Sequence, residues 1–375
     1  MARTVLILTR HDYRTGWRAN MHFIADSFRD AGWTTRFLSV GFSALSLIVG
    51  DRRADLNGRS NRWEAVNGID TYLWKTAVHP FGRGLGPLEP VMNRMFDAWV
   101  NWPSKTVDEA AAQSDVIVVE SGLSAAFVGR MRRAAPNARI VYLASDLNET
   151  VNAHPHIDRM LFRDRAAIDA VVVVARAMAD HFRGFGRPVH FVPHGVDVAA
   201  FATEAPSPYA RGRNVVTVGS MLFDPLVFTT AARAFPDVDF HLIGTPPLGE
   251  TAPNVREHGR MPFEDTIPYL KHADVGVAPY RKDHESGYLS DSSMKLMQYG
   301  YLGLPAVCPD FAVGDYRGRF GYGPGDPASI IDAFRRALAP DAAFEPVIPL
   351  TWPDVVARLV DPAAFRDTAL VRDAA

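Results

Sequence analysis

The chain has 375 residues, 47% of them hydrophobic and 22% charged, with a formal net charge of −2. At roughly 100–200 residues per domain this length suggests two domains, and the composition excludes disordered, collagenous and coiled-coil classes. The single cysteine, Cys308, excludes an intramolecular disulfide and any Cys-rich zinc or iron–sulfur site, and it fits a reducing compartment.

No apolar run reaches the ~18–20 residues that cross a bilayer. The N-terminal run Val5-Leu6-Ile7-Leu8 is also too short for a signal-peptide core. It reads instead as a parallel strand buried on both faces. A helix through Met21, Phe23, Ile24 and Phe28 follows and stops at Gly32, and strands are expected over 35–40, 115–120, 139–144 and 170–175. Residues 41–107 break this rhythm. Seven arginines and lysines between Arg52 and Arg94 are interleaved with Trp63, Tyr72, Trp74, Phe81, Phe96, Trp99 and Trp102. A helix over 90–102 places Val91, Arg94/Met95, Ala98/Trp99 and Trp102 along one side. Two readings stand: contact with an anionic membrane surface through residues 41–107, or ordinary packing on the sheet with scattered surface arginines. The charge split is compatible with either, at +5 over residues 1–142 and −7 over the remainder.

A Pro-rich stretch over 203–213 marks a boundary, after which strands are expected over 214–218, 239–243, 274–279 and 306–308. The expected division is 1–205, 206–350 and a segment 351–375 that packs back toward the first domain. Two consecutive α/β domains imply a cleft between the carboxyl ends of their strands.

There is no G-x-G-x-x-G after the first strand and no G-x-x-x-x-G-K-[ST] anywhere, so dehydrogenase and P-loop readings lose their support. Ser292-Ser293-Met294-Lys295 reads as a helix opening capped by Ser292 or Ser293. Serine hydroxyls, free N–H groups and a lysine in the first turn suit a diphosphate without metal. Tyr280 ends a strand at a rim where a planar base can stack. Asp146 follows the strand Ile140–Ala144 and suits a general base, or alternatively a helix N-cap with Glu149 three residues on. Glu120 and Asp12 are rivals in similar positions. His11, His154 and His156 lack a third ligand at a usable spacing, so no metal site is expected. With a sequence pI near 6.6 and no binding module, no nucleic-acid partner is expected.

In this order the residues resemble the GT-B glycosyltransferases: Val171–Ala175, then Phe191-Val192-Pro193-His194-Gly195-Val196-Asp197, then Ala273–Tyr280 and Gly303–Val307. Val218–Pro225, Asp291–Leu296, Gly303–Asp310 and Arg319–Tyr322 look like the small membrane-associated, inverting family of the xanthan-biosynthesis glucuronosyltransferase. The resemblance implies UDP-glucuronate as donor, a polyprenyl-diphosphate-linked oligosaccharide as acceptor and no cofactor or metal. It also implies a peripheral location on the cytoplasmic membrane face. By position it implies Asp146 as catalytic base and Met221, Tyr280, Leu289, Ser292, Ser293, Met294, Lys295 and Gln298 as donor-binding. After His258-Gly259 the chain has Arg260 where the family's glutamate is expected. An arginine cannot accept a ribose hydroxyl bond, so diphosphate or sugar carboxylate becomes its expected contact. Alternatives are a GT-B transferase for another UDP-sugar, a nucleotide-sugar epimerase, or an inactive sugar-binding assembly partner.

Overall fold

The computed structural model describes residues 2–16, 18–80, 88–210, 212–282, 286–342 and 344–370, so Phe81 of the aromatic stretch lies outside it. The chain divides into two compact units, residues 1–193 with 352–375, and residues 194–351.

Unit 1 is built on one eight-stranded sheet: β1 (Thr4–Thr9), β2 (Thr34–Ser43), β3 (Trp63–Val66), β4 (Ile69–Thr76), β5 (Val116–Glu120), β6 (Arg139–Ala144), β7 (Ala170–Val173) and β8 (Val189–Phe191). The strand order is β3-β4-β2-β1-β5-β6-β7-β8, and only the β3/β4 pair is antiparallel. The continuous apolar runs become strands covered on both faces, and Val5, Leu6, Ile7 and Leu8 are fully buried. The β3–β4 hairpin turns on Asn67-Gly68, both at positive φ, as a two-residue turn of this kind requires. The helix Trp352–Val360 belongs to this unit, with Trp352 stacked on Phe23 at 5.1 Å. Such a pair adds about 0.5–1.5 kcal/mol beyond the area it buries.

Unit 2 holds a six-stranded, all-parallel sheet: β9 (Arg213–Val218), β10 (Val238–Ile243), β11 (Val255–His258), β12 (Val275–Val277), β13 (Ala306–Pro309) and β14 (Arg319–Tyr322), in the order β11-β10-β9-β12-β13-β14. Gly276 permits close packing here, because a Cβ would stand 2.6 Å from the Tyr299 ring. The division at residues 193/194 falls before the Pro-rich 203–213 stretch. Val196 N–H bonds Leu350 C=O at 2.9 Å and Phe201 packs on Phe263 and Tyr301, so 194–202 is held within unit 2.

Strand order reverses between β1 and β5 in unit 1 and between β9 and β12 in unit 2. At such switch points the connections leave in opposite directions and open a crevice at the carboxyl ends of the strands. The sites below lie at these two places.

The aromatic stretch is mostly core. Tyr72, Trp74, Phe96 and Trp99 are buried, and Trp99 packs edge-on against Phe127 at 4.8 Å. In the helix Glu89–Val100, residues 96, 99 and 100 form the inner face, which corrects the placement of Trp99 beside Val91 and Trp102. Among the described residues of the unit the exposed large apolar set is Leu47, Ile48, Val49, Trp63, Val78, Leu88, Val91, Met95 and Trp102, with Val151 and Phe162 elsewhere. Among the described residues no helix is long and apolar enough to cross a membrane.

Candidate functional site

In unit 1, four separate segments meet at the β1/β5 switch point. Thr9 Oγ1, at the end of β1, donates to Glu120 Oε2, at the end of β5. Asn20 Nδ2 donates to Ser145 Oγ at 2.7 Å, and His11 Nε2 lies 4.0 Å from Glu120 Oε1. Burial raises the Glu120 carboxyl to about 7, against hydrogen bonds from Thr9, Ser145 and Asn20 that favour its charged form. Burial, reinforced by Arg10, Arg53 and Arg52, lowers His11 to about 4.

Asp146 directly follows Ser145 in a bend, half-buried, with its N–H donated to Ser121 Oγ at 3.2 Å. It caps no helix. The next helix is Pro155–Arg163, and its cap is His154, whose Nδ1 accepts from His156 N–H at 3.1 Å. A half-buried carboxylate on a bend at the strand ends can accept a proton from a hydroxyl brought to the crevice. Asp12 cannot serve in this way. It is buried, paired with Arg14 at 2.9 Å and bonded by Ser39, and the Arg14 and Ser39 bonds outweigh burial to hold its carboxyl below the ordinary range. His156 is engaged with Asp97 at 3.3 Å. Among the described residues no three His, Cys, Asp or Glu side chains are grouped to hold a metal.

In unit 2, Tyr280 emerges just after β12 and its ring is buried. Its hydroxyl lies 2.6 Å from Ser293 Oγ. Of the two candidate serines, Ser293 is the cap of the helix Met294–Leu302, accepting from Leu296 N–H at 3.2 Å. Ser292 ends the preceding short turn Leu289–Ser292 and donates to Tyr288 C=O at 3.1 Å. Lys295 Nζ stands 5.3 Å from the Tyr280 ring centroid, sealed from solvent and without a hydrogen-bond partner. Burial alone lowers its ammonium to about 7. Met294 and Gln298 are a turn apart, both partly exposed.

The loop after β9 is tied to the same place. Asp224 N–H bonds Pro279 C=O at 2.8 Å and Arg281 N–H bonds Leu222 C=O at 2.7 Å, with Leu222 at φ 47°. A leucine held in this left-handed conformation marks a loop whose shape is imposed by its surroundings. Met221 is half exposed beside it, whereas the buried Tyr280 ring presents no open rim for a base. Arg260 does not join this group by position. It is exposed at the end of edge strand β11, with β10 between it and β9, and its stem lies beside Gly244.

Two features escape a linear reading. The Thr9–Glu120–Asn20–Ser145 set comes from four segments, and only the strand-end placement of Glu120 signalled it. Arg319, on β14, donates to the carbonyls of Ser290 at 2.7 Å and Ala312 at 3.0 Å while lying over Tyr316 at 3.8 Å. It thus pins the turn that carries Leu289 and Ser292.

Residues 7–174 match the family described as Glucuronosyltransferase GumK, N-terminal domain. Over 371 residues the chain is 44% identical to the UDP-glucuronate:glycolipid 2-beta-glucuronosyltransferase of Xanthomonas campestris pv. campestris, covering 97% of this chain and 91% of that protein. Among solved structures, the sucrose-phosphate synthase of Thermosynechococcus elongatus superposes with a TM-score of 0.62 at 13% identity, covering 96% of this chain and 94% of the other. The E. coli trehalose-6-phosphate structure bound with UDP-2-fluoro glucose gives 0.58 at 12% identity, covering 95% and 94%. These structural likenesses show the fold, GT-B.

Proposed function

Because the chain belongs to the GumK glucuronosyltransferase family, we propose that it transfers glucuronic acid from UDP-glucuronate to a glycolipid, a polyprenyl-diphosphate-linked oligosaccharide used for exopolysaccharide. The observation that carries the donor side is Lys295, an amine sealed beside Tyr280 and Ser293 with nothing to bond. A buried donor without an acceptor is costly in the empty protein, and a diphosphate oxygen removes that cost.

In this reading uridine lies against Met221, with the buried Tyr280 and Leu289 behind it. The diphosphate takes Lys295, Ser292, Ser293 and the N–H groups opening the Met294–Leu302 helix, and Gln298 adds a donor one turn on. Arg260, at the far edge of the sheet, is left out of that pocket. On the acceptor side Asp146 takes the proton from the attacking hydroxyl. That oxygen bonds the anomeric carbon from the face opposite UDP, the bond to the β-phosphate oxygen breaks, and UDP leaves with the electron pair. The donor's α-linked sugar becomes a β-glucuronide. Lys295 and the helix N–H groups counter the charge on the leaving group, so the proposed step uses no metal. The exposed apolar set around residues 47–49, 78, 88–95 and 102 supports peripheral attachment at the cytoplasmic face of a membrane.

The test is transfer from radiolabelled UDP-glucuronate, UDP-glucose and UDP-galactose to a bacterial lipid extract, with and without EDTA. Label should enter the lipid phase from UDP-glucuronate, as a β-glucuronide by NMR and unchanged by EDTA. Equal labelling from UDP-glucose would point to another donor. Conversion of the UDP-sugar without acceptor would point to an epimerase.

A further inference from the structure

The loop after β1 is held residue by residue. Arg53, buried and anchored on the carbonyls of Val40 and Gly41, also donates to Arg10 C=O at 2.8 Å. His11 N–H donates to Thr9 Oγ1 at 3.0 Å, and Thr9 donates in turn to Glu120. His22, in the helix Asn20–Asp30, accepts the Ala19 N–H on Nδ1 at 3.1 Å. Its proton therefore sits on Nε2 and is donated to Asp12 C=O at 3.1 Å. Residues 10, 11 and 12 thus have their main chain pinned by side chains from three separate segments. The His11 side chain projects from this frame. It is 45% exposed, and its Nε2 stands 4.0 Å from Glu120 Oε1, beyond hydrogen-bond reach. Among the described residues no hydrogen bond reaches the ring.

Burial, followed by the charges of Arg10 and Arg53, nevertheless lowers this imidazole to about 4. A ring open to solvent and still desolvated by its surroundings lines a concavity, here the β1/β5 crevice. Neutral near pH 7, it has one N–H to donate and one lone pair to accept with. That suits a hydroxyl, which also donates and accepts, whereas a phosphate calls for cations. The base stands on the other side of the same strand. Glu120 is bonded by Ser145, and Ser121 Oγ accepts the Asp146 N–H at 3.2 Å. Because β5 lies between β1 and β6, the loops carrying His11 and Asp146 leave the sheet about 10 Å apart, two strand spacings. A sugar ring with its hydroxyls fits between two side chains rooted at that separation.

We propose that His11 is an acceptor-binding residue: its imidazole holds one ring hydroxyl of the acceptor sugar while Asp146, across β5, takes the proton from another. This rests on the reading that unit 1 receives the acceptor. His11 moves no proton in the reaction. It fixes where the sugar lies, and the pinned loop behind it keeps that position from drifting.

The test follows the His11 imidazole by NMR in the full chain with UDP saturating, so that the donor site is filled. Its resonance is the one absent from His11→Ala. Octyl β-glucoside, octyl β-galactoside and octyl α-mannoside are added below their micelle concentrations, with octanol as the control. At least one glycoside should shift the His11 resonance, and octanol should not. The Kd of that glycoside should rise about three- to ten-fold in His11→Ala, the usual worth of a neutral hydrogen bond, and return toward wild type in His11→Gln. In transfer to the same glycoside the change should fall on KM rather than kcat. No shift from any of the three, an equal shift from octanol, or an unaltered Kd in His11→Ala would overturn the assignment. So would a fall in kcat at constant KM, since His11 would then act on the proton. A His11 shift retained in a protein that transfers no glucuronic acid, to these glycosides or to a bacterial lipid extract, would instead sink the proposed reaction.

Discussion

The two switch-point sites are alike in place and opposite in chemistry. At β1/β5 burial lifts an acid, Glu120, from 4.5 to about 7; at β9/β12 it lowers an amine, Lys295, from 10.5 to about 7. Both groups are shut from water, but their hydrogen bonding differs. Glu120 is met by Thr9 inside a closed polar set and titrates near 7, whereas Lys295 Nζ has no hydrogen-bond partner. A satisfied buried acid is scaffolding and positions its neighbours. An unsatisfied buried amine is prepared for an anion that the protein does not itself supply. On this view unit 1 contributes a rigid frame for Asp146, and unit 2 contributes an unfilled cation.

The largest expected break in this comparison is Asp146→Asn. It should lower kcat by about 10²–10⁴-fold, the usual worth of a positioned base. Near-normal turnover would show that the frame holds some other base.

Lys295→Met should come next. It should weaken UDP about 10- to 100-fold, as for a lost charge-assisted bond, and leave Tm unchanged or higher because the unpartnered amine is gone. The same lysine gives a proton readout. Its amine is mostly neutral at pH 8 in the empty protein and becomes ammonium against a diphosphate. UDP binding at pH 8 should therefore take up close to one proton, measured by calorimetry in buffers of different ionisation enthalpy, and the Met variant should take up none. Absence of uptake in the wild type would remove Lys295 from the diphosphate.

Glu120→Gln sharpens the contrast with the smallest effect. In the folded protein the Glu120 carboxyl ionises only from about 7, and unfolded it ionises from about 4.5. The stability linked to it is full below that pH and is lost as pH rises through about 7. Wild-type Tm should fall by on the order of a few degrees between pH 5 and 8, and the Gln variant should lose that slope. A slope kept by the variant would mean that another group carries it.

Much of this was legible in the linear chain where local pattern decides structure. Unbroken apolar runs such as Val5–Leu8 and Ile140–Ala144 can only be doubly covered parallel strands, and a serine before Met294-Lys295 marks a helix start. The β3–β4 hairpin is not legible as strands because Trp63–Val66 and Ile69–Thr76 mix charge with bulk. The Asn67-Gly68 pair between them was its available signal. Trp99 stands at the border of the exposed Val91, Met95 and Trp102 stripe, and only its contact with Phe127 shows that it faces inward. The Glu120 cluster was illegible for a different reason. Thr9, Asn20, Glu120 and Ser145 are strangers in sequence, brought together by strand order alone.

The division of labour itself is tested most directly by titrating UDP-glucuronate into the Asp146→Asn protein. If Asp146 serves only the acceptor while unit 2 holds the donor, affinity should equal that of the wild type in a protein that no longer transfers the sugar. A large loss of donor affinity on this one substitution would contradict the account.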